Sequence, residues 1–135
     1  MKQFTLRISA IQRDFYTGVC ESLVFTTVDG MVGVLAGHEP TVYAVEAGEL
    51  RFTADGETRI LAVGEGIARV SGEKVTILVD FAELADEIDA IRAREEAERA
   101  EAIIRAKEDS RAVAGAEAAL SRALAQMKVV SKLKK

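Results

Sequence analysis

Tryptophan is absent from this chain, and cysteine, histidine and proline each occur once. A lone cysteine, Cys20, excludes an internal disulfide framework and any all-cysteine metal site. It reads as a small apolar filler in a reducing compartment. A lone histidine, His38, shows no constellation with a nucleophile or carboxylate partner, and beside one histidine and one cysteine only carboxylates remain as metal ligands. Neither zinc chemistry nor histidine-based catalysis is expected. No apolar run approaches the ~20 residues that span a bilayer, and the opening MKQFTLRISA holds no continuous apolar segment of the secretory kind. A cytoplasmic protein without direct membrane insertion is the expectation. Nucleic acid is a poor partner for a chain of net charge −4 with no basic patch in its first half.

What is present is a chain of 135 residues, 49% apolar and 30% charged, which places it among globular chains with one core, or one core and a small appendage. Composition divides it near residue 80. Before that point lie nine of the ten glycines, both tyrosines and four of the five phenylalanines. After it come Ala, Glu, Arg and Lys, with no proline. This is the contrast between a β-rich unit and a helical one.

The first part alternates with period two. FTLRI sets Phe4, Leu6 and Ile8 on one side and Thr5 and Arg7 on the other. ELRFTADGETRILAV reads as a hairpin, with Leu50 and Phe52 before Asp55-Gly56 and Ile60 and Ala62 after it. Asp-Gly supplies the positive φ angles of a tight hairpin turn. Gly72 marks a second turn, before Val75, Ile77 and Val79. Further short strands fit Phe15–Val19, Leu23–Thr27 and Met31–Leu35, and the sum predicts a small antiparallel β-sandwich or barrel over residues 1–85.

After Asp80 the period becomes helical. Asp86 is placed as an N-cap with Asp89 in the capping-box position. Ala93, Ala97, Ala100 and Ile104 then form one stripe. A second helix, capped by Asp109 or Ser110, carries Val113, Ala116, Leu120, Leu124 and Met127. A short link predicts an antiparallel two-helix hairpin over residues 86–135. An alanine seam buries little area and should part more readily than the β unit. Residues 81–109 hold ten acids against five bases, and residues 110–135 six bases against one acid. Two helices attracting each other, or a basic end free to take an acidic partner elsewhere, both fit that contrast.

VGVLAGHEP, residues 32–40, concentrates Gly33, Gly37, His38 and Pro40. DGMVGVLAGHEP, followed by VEAGELRF and the helical DEIDAIRA, resembles the epsilon subunit of F-type ATP synthases over essentially the whole chain. One departure is Ala36, where many members have proline before the glycine. The resemblance implies a ten-stranded sandwich followed by a two-helix domain, in a non-catalytic rotor subunit. It implies partners: the gamma subunit, the ring of c subunits and the catalytic hexamer, on the cytoplasmic face of the cell membrane. It further implies helices that fold against the sandwich or extend into the hexamer and limit ATP hydrolysis. Asp29, Gly30, Met31, Val32 and Gly33, with His38, are the c-ring contact implied by resemblance. Met31 and Val32 would form the apolar tip of that loop, and His38 is there to be packed or docked.

No cofactor is required by this reading, but ATP is a candidate regulatory ligand. ATP-binding bacterial members carry I/L-D-x-x-R-A, and this chain has Ile88, Asp89, Arg92 and Ala93 in that pattern, with Glu83 upstream. The resemblance gives Asp89 to the adenine amino group and leaves Ala93 small enough for the base to approach. Arg92 and Arg99 share a helix face and Arg122 lies on the second helix, so the three could gather phosphates. Gln126 departs from the arginine those members tend to have there. The plain alternative makes Asp89 a helix cap and Arg92 its i,i+3 partner. A free-standing ATP sensor and a helical interaction scaffold are the competing functions. The helices are too short and too rich in alanine for a sustained heptad seam.

Overall fold

Ten strands account for the first part of the chain: β1 (Phe4–Ala10), β2 (Arg13–Cys20), β3 (Ser22–Thr27), β4 (Gly30–Leu35), β5 (Thr41–Val45), β6 (Gly48–Ala54), β7 (Glu57–Val63), β8 (Gly66–Ser71), β9 (Lys74–Val79) and β10 (Ala82–Leu84). A 3₁₀ turn at Ala85–Glu87 leads to α1 (Ala90–Ala106) and α2 (Ser110–Leu133). The computed structural model describes residues 2–11, 13–107 and 109–133, with backbone alone at Leu133. Glu108, Lys134 and Lys135, part of the charge contrast, lie outside the described residues.

The strands form two five-stranded sheets, ordered β2-β1-β9-β8-β5 and β10-β7-β6-β3-β4. Every described pairing is antiparallel except β1 with β9. The expected sandwich followed by a helical hairpin is therefore the fold. Leu6, Ile8, Phe25, Leu50, Phe52 and Ile77 are fully buried between the sheets. Each such side chain contributes about 1.5–3 kcal/mol of transfer free energy. At the β6–β7 turn Asp55 and Gly56 have φ of 53° and 77°, the pair of positive angles that matches the twist of a two-residue hairpin.

The hairpin register differs from the simple alternation. Leu50 pairs with Leu61, and Leu61 and Val63 join the inter-sheet core. Ile60 and Ala62 point the other way, to a smaller cluster with Ala85, Ala125 and Val129. Both faces of β7 are covered, one by the opposite sheet and one by α2, so ILAV is a continuous apolar run. Period two has no meaning for such a strand.

The helix start is also displaced. Asp86 sits in the 3₁₀ turn, and Asp89 is the N-cap of α1, its side chain accepting from the Arg92 backbone N–H. Lys107, in the left-handed conformation, ends α1, and Asp109 Oδ1 accepts from the Arg111 N–H at the start of α2. Ala93, Ala97 and Ala100 are buried along α2, as the stripe predicts, while Ile104 is only half-buried. On α2 the buried residues are Ala116, Ala123, Ala125 and Val129, and Leu124 is 50% exposed. Ala116 and Ala123 share one face; Ala125 and Val129 share another, turned to the sandwich. A single stripe missed this because α2 packs on two neighbours at once.

Candidate functional site

Two regions collect the residues singled out in the sequence. The first runs along β4: the β3–β4 tip lies at its start, and the turn that holds His38 lies at its far end, where Leu35 pairs with Ser22. Its tip is Val28–Asp29, and Val28 is 77% exposed. Met31 and Val32 lie on β4, paired with Thr26 and Phe25, not at the tip. Met31 is exposed and its sulfur accepts from Thr26 Oγ1, whereas Val32 is half-buried against the core. The glycines Gly30 and Gly33 misplaced the tip; Val28 carries no motif signal and was missed.

The turn after β4 explains the His38 stretch. The His38 N–H donates to the Leu35 carbonyl across Ala36-Gly37, and Gly37 has φ of 85°. This is the geometry that demands glycine at the third position of a type II turn and favours proline at the second, where Ala36 stands. The His38 ring bridges the Glu39 carbonyl at 2.8 Å through Nδ1 and the Tyr43 hydroxyl at 3.3 Å through Nε2. Both ring nitrogens are thus occupied by structural partners, as a packed histidine requires.

The second region lies between the start of α1, α2 and the chain around Glu83. A cleft of about 300 Å³ is lined by Glu83, Glu87, Asp89, Arg92, Ala93, Glu96, Arg122 and Gln126, at the lower end of ligand-binding volumes. Five of the seven candidate ATP residues meet there. Ile88 turns instead into the cluster around Ala85 and Val129, and Arg99 is exposed outside the cleft. The candidate ligands already have partners. Asp89 Oδ1 caps α1 at 3.0 Å, and Arg92 Nε pairs with Glu96 at 3.1 Å, so the arginine side chain is turned to i+4 and not back to Asp89. The Arg122 guanidinium lies 5.2 Å from the Phe81 ring centroid. Gln126 Nε2 donates to Glu83 Oε1 at 2.7 Å, joining α2 to the sandwich. The lining holds four carboxylates and two guanidiniums, a balance that disfavours a triphosphate until the acids are paired.

No described residues form a group of histidine, cysteine and carboxylates able to hold a metal ion, and no described helix is long and apolar enough to cross a membrane. What the two regions define is a β-sandwich with a two-helix hairpin packed on one of its sheets. Residues 3–85 match the model for the ATP synthase delta/epsilon chain beta-sandwich domain, and residues 86–131 that for the long alpha-helix domain of the same chain. The chain belongs to the ATP synthase delta/epsilon chain family, as a non-catalytic epsilon-type subunit of the central stalk. It is 38% identical to the ATP synthase epsilon chain of Ruminiclostridium cellulolyticum over 132 residues, covering 98% of each. With that of Caldanaerobacter subterraneus subsp. tengcongensis it shares 39% over 132 residues, 97% of this chain and 96% of the relative. A chain in the mitochondrial ATP synthase of Euglena gracilis, from an assembly that includes the c-ring, superposes with a TM-score of 0.77 at 26% identity. That match covers 90% of this chain and 78% of that one.

Proposed function

We propose that the chain couples rotation of the central stalk to ion flow and limits ATP hydrolysis through its helical hairpin. The sandwich, residues 1–85, attaches to gamma and the c-ring at the cytoplasmic face of the membrane. Val28, Asp29 and Met31 carry the ring contact, while His38, at the opposite end of β4, is packed on Glu39 and Tyr43. The hairpin, residues 86–135, either lies on the sandwich or rises along gamma to the catalytic hexamer. The observation that carries this reading is the small size of the buried residues in the α2–sandwich contact, Ala62, Ala85, Ala125 and Val129, with Ala47, Ile60, Phe81 and Ile88 only partly buried around them. Alanine and valine bury little area, so the closed and open states are close in free energy.

ATP is the ligand we assign to the cleft, as a latch on the closed form. Asp89 keeps one oxygen on the helix cap and offers the other to the adenine amino group. Arg92 on α1 and Arg122 on α2 reach one phosphate chain together only when the hairpin is closed. Arg99 lies too far out to be a necessary ligand. A ligand that binds only the closed state stabilises it by about 1.4 kcal/mol at tenfold excess over Kd. Calorimetric titration of the full chain tests this. Saturable heat that is lost in Asp89→Ala and Arg92→Ala supports the latch; equal heats in all three proteins reduce Ile88–Ala93 to a capped helix.

A further inference from the structure

Glu49 is a buried carboxylate that the coupling function does not use. It lies on β6 with its side chain 1% exposed, on the face of the sheet away from the inter-sheet core. Its neighbours Leu50 and Phe52 point inward, so Glu49 and Arg51 point toward the helices. Arg51 Nη1 holds Oε2 at 2.6 Å. The second oxygen, Oε1, finds no hydrogen-bond donor in the sandwich, and its partner is the Lys132 ammonium near the end of α2, in a close ion pair. Lys132 follows Ala125 and Val129 at helical spacing, so one stripe of α2 brings two apolar contacts and then a cation to the sheet. A carboxylate oxygen buried without a donor is costly, and a charged donor offsets that cost.

We propose that Glu49 is the socket of a charge latch, filled by Lys132, that holds the C-terminal end of α2 on the sandwich. The latch is independent of ATP: it lies beyond the cleft and closes with the protein's own side chains. Lifting α2 withdraws Lys132 and leaves Oε1 to water or unpaired. The open state therefore carries a cost set at one residue pair, and a partner that recruits the basic end of α2 must outbid Glu49 for Lys132. The proposal rests on the reading of the hairpin as mobile.

Amide hydrogen exchange of the full chain tests it, comparing the parent with Lys132→Met, Glu49→Gln and the double variant. Lys132→Met should speed exchange across α2 by about tenfold, the order for a charge-assisted hydrogen bond, with strands β1, β6 and β9 unchanged. Glu49→Gln should act in the same direction, and the double variant should exchange α2 no faster than Lys132→Met alone. Should Glu49→Gln fail to fold, Lys132→Met still decides, because Lys132 is 40% exposed at the rim and supports no strand. If α2 exchanges separately from the sandwich but ignores Lys132→Met, or if the two single effects add, the latch is overturned. If α2 in the parent exchanges only together with the strands, the mobile hairpin itself falls, and the latch with it.

Discussion

Val28 and Val32 are the same side chain four residues apart, and the fold gives them opposite roles. Val28 is solvent-exposed at the β3–β4 tip, while Val32 is half-buried against the core. Aspartate at Val32 should destabilise the sandwich by about 1–3 kcal/mol, because the carboxylate meets apolar neighbours. Val28→Asp with Met31→Asp should leave the thermal midpoint within a degree or two and weaken ATP-driven ion pumping in the assembled enzyme. Pumping at the parent level in that variant would move the ring contact elsewhere. Gln126 has a comparable test. Gln126→Arg puts a cation beside Glu83 and adds a third guanidinium to a cleft with an acidic excess, so ATP affinity should rise by about tenfold. Unchanged affinity by calorimetry would mean that phosphates do not approach α2.

Residue-level chemistry was legible where a backbone angle required it. Asp55-Gly56 announced its positive φ angles, and that turn forms where expected; Gly37 takes a positive φ as well. The tip was not legible, because valine in a turn has no signature and the flanking glycines drew attention one strand too far. Glu49 was missed for a related reason. One glutamate among many gives no sign that a helix 83 residues later will bury it.

At the scale of elements, β1, with one wet face, was read correctly and β7, apolar on both faces, was not. β1 alternates and its register follows; β7 is apolar on both sides because α2 lies on it. The helices were legible as alanine stripes, but the start of α1 moved from Asp86 to Asp89, since either acid can cap and the 3₁₀ turn took the first. Docking of α2 should depend on pH through Glu49, which faces Arg51 from β6 and Lys132 from α2. Burial pushes this carboxyl up, but hydrogen bonds and charge from Lys132 and Arg51 outweigh burial and hold it below the ordinary glutamate value. Stability from a depressed carboxyl is complete above the unfolded-state value and is lost as pH falls through the folded-state one. The hairpin should thus stay docked at neutral pH and open on acidification below the ordinary glutamate range, before the sandwich melts. Fluorophores on the sandwich and near Lys128 would report the opening, and Glu49→Gln should flatten the acid transition. An unaltered transition in that variant would assign the pH response to another carboxylate.

At the scale of the molecule, a broad inter-sheet core stands beside a hairpin held to it by a smaller cluster around Ala125 and Val129, the Arg122–Phe81 contact, a hydrogen bond from Gln126 and a buried ion pair. On the function proposed, that imbalance would make the sandwich the anchor and the hairpin the arm. In that proposal the arm, and not the sandwich, restrains hydrolysis. The most direct measurement is the ATP hydrolysis rate of the assembled enzyme carrying either the full chain or one ending at Ala85. With equal incorporation of the two chains, the truncated form should hydrolyse ATP several-fold faster and still pump ions. Equal hydrolysis rates in the two enzymes would contradict the account.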